Sequence, residues 1–135
     1  MNVAKLINLS RFMVQEKISE ENFSITYKAK DKKTKQLYSM TICENISDKT
    51  KEQIFENINI HSNISHPSIN KLIGFSREDL ENNYNPVIIT EFEPNGTLQN
   101  LIDKSKIKQQ KFDEPWDFTK KFINIYGIAS AMSYL

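Results

Sequence analysis

The sequence predicts an α+β fold: a five-stranded antiparallel sheet with one packed helix, followed by a hinge and two helices. Three observations carry this expectation. Short apolar or alternating runs bounded by polar turns fill residues 12–43 and recur at 72–75 and 87–91. Between the two groups lies one stretch, about 48–63, with a helical apolar period. From residue 97 onward the apolar spacing shifts to three and four.

The elements follow in order. Residues 12–19, with Met13 and Ile18, and residues 25–31 are predicted as the first two strands, with a polar turn at 20–24. A charged turn at 31–35 returns the chain into a third strand at 36–43, whose apolar content is Leu37, Met40 and Ile42. Ser47 or Asp48 can cap the helix, which places Ile54, Ile58 and His61 on one face directed at the sheet. His61 on that face is expected to pack there. His66 and Pro67 stop the helix, residues 72–75 form a fourth strand, and an acidic, Asn-rich loop at 76–86 follows.

Residues 87–98, Val-Ile-Ile-Thr-Glu-Phe-Glu-Pro-Asn-Gly-Thr-Leu, mark the change of texture. They read as a buried fifth strand, a tight turn at Pro94, Asn95 and Gly96, and a helix cap at Thr97. A short helix at 97–102 leads into a basic, solvated connection at 103–111. The final helix is capped by Asp113, with Pro115 in its first turn. It aligns Phe118, Phe122, Ile125, Ala129 and Met132 along one apolar face.

Composition narrows the function. With 135 residues the chain fits one domain or part of a larger one. Its 18 Lys and Arg against 17 Asp and Glu leave a net charge of +1, which gives no argument for a nucleic acid or an anionic membrane as partner. The single cysteine, Cys43, rules out an internal disulfide framework and suits a buried thiol in a reducing compartment. Lys5, Asn8, Ser10 and Arg11 interrupt the first 14 residues, so neither a signal peptide nor a membrane span is expected, and a cytoplasmic location is the default.

Three motifs, in this order and spacing, carry a resemblance. His-Pro-Ser-Ile-Asn-Lys-Leu-Ile-Gly-Phe at 66–75 resembles the H-P-N-I-V-K-L-x-G-F of protein kinases. Ile-Ile-Thr-Glu-Phe-Glu-Pro-Asn-Gly-Thr-Leu at 88–98 resembles that family's fifth strand, gatekeeper and hinge. Gly-Ile-Ala-Ser-Ala-Met-Ser-Tyr-Leu at 127–135 resembles the long helix before its catalytic loop, in a tyrosine-kinase-like flavour. The resemblance covers about 12–135. It implies an N-terminal lobe at 12–92, a hinge at 93–96 and the start of the C-terminal lobe at 97–135, with 1–11 as an extension.

The family's chemistry relies on a Gly-rich loop over the phosphates, a strand-three lysine paired with a helix glutamate, and Mg²⁺ ligands. By resemblance, the three loop glycines fall on Ser19, Glu21 and Ser24. The chain's only glycines are Gly74, Gly96 and Gly127. A carboxylate at Glu21 opposes phosphate where the loop should offer bare backbone N–H groups. The lysine falls on Thr41 and its partner glutamate on Asn57, so both halves of that ion pair are absent together. Thr26, Ser39 and the gatekeeper Thr90 line a pocket more polar than the family's. Lys28 shares strand parity with Thr26, but a strand lysine near a sheet edge is expected to reach solvent.

The catalytic loop and the Asp-Phe-Gly metal site would begin past Leu135, so no catalytic residue and no metal ligand is assigned. No cofactor is expected, beyond weak ATP or adenine binding through backbone groups of Glu91 and Glu93. The leading expectation is a pseudokinase-like binding or regulatory module without phosphotransfer of its own. The alternatives are the N-terminal fragment of an ATP-dependent Ser/Thr or Tyr kinase, and a decayed gene product with no selected function. A protein partner or second kinase lobe is expected to cover the face from Phe118 to Met132.

Overall fold

A computed structural model of the protein describes residues 3–106 and 118–135. Within them the chain forms two compact units. One comprises Met1–Ser65 and Asn70–Phe92, the other His66–Ile69 and Glu93–Leu135.

The first unit is a five-stranded antiparallel sheet, built from β1 (Phe12–Glu21), β2 (Ser24–Asp31), β3 (Leu37–Cys43), β4 (Leu72–Ser76) and β5 (Val87–Glu91), in spatial order β1-β2-β3-β5-β4. One helix, α1 (Asp48–His61), is capped by the Ser47 hydroxyl, which accepts from the Thr50 N–H. The fold class is therefore the expected one. The predicted turn at 20–24 is shorter than expected, because Glu21 pairs with Ser24 and only Asn22 and Phe23 remain outside the strands. The polar residues Ser19, Glu20 and Glu21 stay in β1 because it is an edge strand, whose charged side chains reach water without leaving the ladder.

Alternation along the strands divides the apolar side chains between two faces. One face carries the larger core: Ala29, Tyr38, Met40, Val87 and Ile89, closed by Ile7, Leu9 and Phe12. Phe12 meets Tyr38 edge-on at 5.6 Å. The opposite face carries a smaller core in which Phe55 and Ile58 of α1 and Ala4 pack with Ile54, Leu72, Phe75 and Ile88. The helix face foreseen from Ile54 and Ile58 thus lies on the sheet, and Phe55 joins it. His61 is half-buried there, its Nε2–H donating to the Asn70 carbonyl at 2.8 Å.

The segment ahead of β1 is part of this unit. Ile7 donates to Phe75 O at 2.8 Å and accepts nothing in return; instead Phe75 N–H donates to Lys5 O at 2.9 Å, forming a parallel bridge on the outer side of β4. Residues 5–7 thus cover part of the β4 edge of the sheet, while β1 has a strand neighbour on one side only among the described residues.

In the second unit, Gly96 N–H donates to Glu93 O at 3.3 Å, closing the foreseen turn with Gly96 at φ +73°. The Thr97 hydroxyl accepts from Asn100 N–H and starts α2 (Leu98–Lys106). This helix extends four residues further than the predicted end at 102. Gln99 donates to Asp103 at 2.9 Å, an i,i+4 bond that carries the helix into the polar segment read as a connection. Asp113 and Pro115 lie outside the described residues.

The last helix, α3 (Phe118–Tyr134), buries Ala131. Gly127 approaches Ser68, and the half-buried Ser130 meets His66. Phe118, Phe122, Ile125, Ala129 and Met132, the predicted apolar face, are exposed among the described residues.

Candidate functional site

Cross-strand register brings several of the predicted pocket residues together on the α1 face of the sheet. Thr26 pairs with Thr41 across β2 and β3, and Ser39 lies between Lys28 and Thr90. Thr90 in turn faces Leu72 of β4. The two threonine hydroxyls are 3.0 Å apart and form a hydrogen bond, so each satisfies the other. The result is a row of neutral hydroxyls, half-buried, at the centre of the face.

The nearby cation is already engaged. Lys28 Nζ sits 3.2 Å from Glu16 Oε1 and 5.5 Å from the Phe92 ring centroid. The side chain is one-quarter exposed, and its carboxylate partner on β1 draws it along the strand. Glu16 and Phe92 had no signal in the sequence, since each is a single residue whose role depends on strand pairing or chain direction.

Ser19 and Glu21 are exposed β1 residues in extended pairing with β2, and Ser24 opens β2. All three positions read as loop glycines therefore sit in the β1–β2 hairpin, just past a shift in register between Lys17 and Ser19. Glu21 and Ser24, with Asn22, Phe23, Cys43, Ile46, Thr50 and Ile54, line a cavity of about 640 Å³. Burial pushes the Cys43 thiol up from its ordinary pKa, which keeps it in the uncharged form. Asn57 is exposed on α1, and no bond between it and Thr41 exists among the described residues.

Glu91 closes β5. Its N–H donates to Lys71 O at 3.1 Å, and its carboxylate accepts from Lys71 N–H at 2.8 Å. Glu93 is exposed and begins the turn that ends at Gly96. Among the described residues no group of three or more His, Cys, Asp or Glu could hold a metal ion, and no helix is long and apolar enough to cross a membrane.

The order of five strands, the single helix after the third, and the turn into helices agree with the comparison with known families. The profile of the protein kinase domain matches residues 12–135. The chain belongs to the protein kinase family.

Among relatives, this kinase-family chain is 26% identical over 118 residues to a tyrosine-protein kinase receptor, svh-2, of Caenorhabditis elegans, covering 87% of the chain and 10% of that protein. It is 34% identical over 61 residues to the cell cycle serine/threonine-protein kinase CDC5/MSD2 of Saccharomyces cerevisiae, covering 45% of the chain and 8% of that protein. The chain thus spans a tenth or less of the length of these relatives. The family match begins at Phe12, yet Ala4, Ile7 and Leu9 ahead of it are core residues of the same unit.

Proposed function

We propose that this kinase-family segment is a pseudokinase-like binding or regulatory module that carries out no phosphotransfer of its own. One observation carries the reading: at the strand-three lysine position stands Thr41, its hydroxyl bonded to that of Thr26 at 3.0 Å. Phosphoryl transfer depends on cations that neutralise the phosphates. Here a neutral, mutually satisfied pair occupies the clamp position, and the partner position on α1 is the exposed Asn57. Glu21 adds a carboxylate where the family presents glycine. Residual adenine contact falls to main-chain groups of Glu91 and Glu93, with Thr26, Ser39 and Thr90 as lining, and is weak because main-chain contacts act without the phosphate clamp. The exposed row of Phe118, Phe122, Ile125, Ala129 and Met132 suits burial by a protein partner or the remainder of a kinase lobe.

A second reading is favoured by the relatives, which are kinases many times longer than the stretch they share with this chain. In that reading the segment belongs to an ATP-dependent Ser/Thr or Tyr kinase. Thermal melting with and without millimolar Mg·ATP separates the two, since a ligand at a hundred times its Kd adds about 2.7 kcal/mol of stability. An unchanged melt is expected. A rise of several degrees supports the active-kinase reading instead. A gain of the shift in the double variant Thr41→Lys with Asn57→Glu would locate the loss of binding at those two positions.

A further inference from the structure

In this family the helix after strand three is held by an ion pair reaching from the nucleotide site, and neither member of that pair is present here. A different set of contacts fastens α1, and it comes from the loop at residues 77–86 between β4 and β5. Tyr84 O–H donates to Glu52 Oε1. The Tyr84 ring lies 6.2 Å from that of Phe55, and Lys51 Nζ stands 4.8 Å from the Tyr84 centroid. Lys51 also pairs with Asp48 at 3.6 Å. From the start of the loop, the Arg77 guanidinium covers the Phe55 ring at 4.6 Å, and Phe55 packs on Phe75 of β4 at 5.8 Å.

The loop is a firm base for these contacts. The Asp79 carboxylate accepts from the N–H groups of Glu81 and Asn83 and from the side-chain amides of Asn83 and Asn85. Asp79 N–H donates to Asn83 O at 3.0 Å, and Asn82 takes a left-handed φ of +62° to close the turn. The Asn-rich composition thus becomes a self-bonded loop that presents Tyr84 to the helix.

We propose that Tyr84, with Glu52, Lys51 and Arg77, is a latch that sets the position of α1 from the β4–β5 loop. The Tyr84 hydroxyl donates its hydrogen bond to the Glu52 carboxylate, which favours the protonated phenol and raises the Tyr84 pKa above its ordinary value. Tyr84 is a positioning residue, acting on α1 alone.

The test is amide hydrogen exchange on the full chain, with Tyr84→Phe as the principal variant, because it deletes the hydroxyl and keeps both ring contacts. Losing one solvent-exposed hydrogen bond, whose charge is screened by water, should speed exchange of α1 amides about three- to tenfold while those of Met40 and Ile89 keep wild-type rates. Glu52→Gln, which retains an acceptor, should show most of the wild-type protection. Wild-type α1 exchange in Tyr84→Phe would overturn the proposal, as would equal acceleration of helix and sheet, which reports global destabilisation. The Tyr84→Phe comparison is made without nucleotide, so its outcome is independent of the Mg·ATP melt.

Discussion

Replacing Gly74 with alanine should dislodge the segment ahead of β1 from the sheet edge. A Cβ at this position would lie 2.3 Å from Ile7 Cδ1, 2.6 Å from Ile7 Cγ1 and 2.5 Å from the Lys5 carbonyl oxygen. The Ile7 side chain could swing aside, but the Lys5 carbonyl cannot move without giving up its bond from Phe75 N–H. Relief therefore means undocking, which exposes Ile7, now 5% accessible, and breaks two main-chain bonds. Returning an isoleucine side chain to water costs roughly 1.5–3 kcal/mol, and each bond contributes about 0.5–1.5 kcal/mol. The smaller unfolded-state entropy of alanine offsets roughly 0.4–1 kcal/mol of this. The net destabilisation should fall at about 2–5 kcal/mol, a large fraction of the stability of a small domain. Equilibrium urea unfolding followed by far-ultraviolet circular dichroism measures it. Deleting residues 1–8 should cost a similar amount, and combining the deletion with Gly74→Ala should add little, since both remove one interaction. Additive losses, or a Gly74→Ala variant within about 0.5 kcal/mol of wild type, would refute the reasoning.

Two other perturbations probe the sheet unit. Asp31, 1% exposed, accepts from the N–H groups of Thr34 and Lys33 and from Arg11 Nε, and these contacts, the Thr34 amide first, hold its pKa at about 2. A carboxyl lowered on folding contributes stability above the ordinary aspartate range and loses it as the pH falls through the folded value. Asp31→Asn should therefore flatten the acid limb of stability against pH between about pH 4 and pH 2, and an unaltered limb would count against the assignment. Thr41→Val alone should cost about 1 kcal/mol by leaving the Thr26 hydroxyl without its partner, whereas Thr26→Val with Thr41→Val should return to within about 0.5 kcal/mol of wild type in the same urea assay.

The parts of the fold that depend on local chemistry were legible. Ser47 caps α1, Gly96 closes the turn after Glu93, and Thr97 caps α2, because each device acts within a few residues of itself. The positions that the resemblance assigns to the strand-three lysine and its helix partner, Thr41 and Asn57, could likewise be counted along the chain. What could not be counted was which neighbours these side chains meet. That Thr41 bonds to Thr26, and that Lys28 turns to Glu16 and Phe92, depends on the register of strands and on the residue just past β5, which only folding brings near. Tyr84 sits in a polar, Asn-rich stretch with no period, so nothing adjacent to it announces a helix contact 32 residues away in sequence.

By itself, then, the sequence determined the family, the order of strands and helices, and the turn from sheet into helices at residues 87–98. Alternation, capping and turn residues are written in neighbouring positions. The tertiary structure decided which surfaces those elements share. It placed residues 5–7 on β4 because Gly74 leaves room for a backbone. It buried Ala131 of α3, set Gly127 and Ser130 beside Ser68 and His66, and left the Phe118 to Met132 row exposed. A helical period states which residues lie on one face; only packing decides which face is covered.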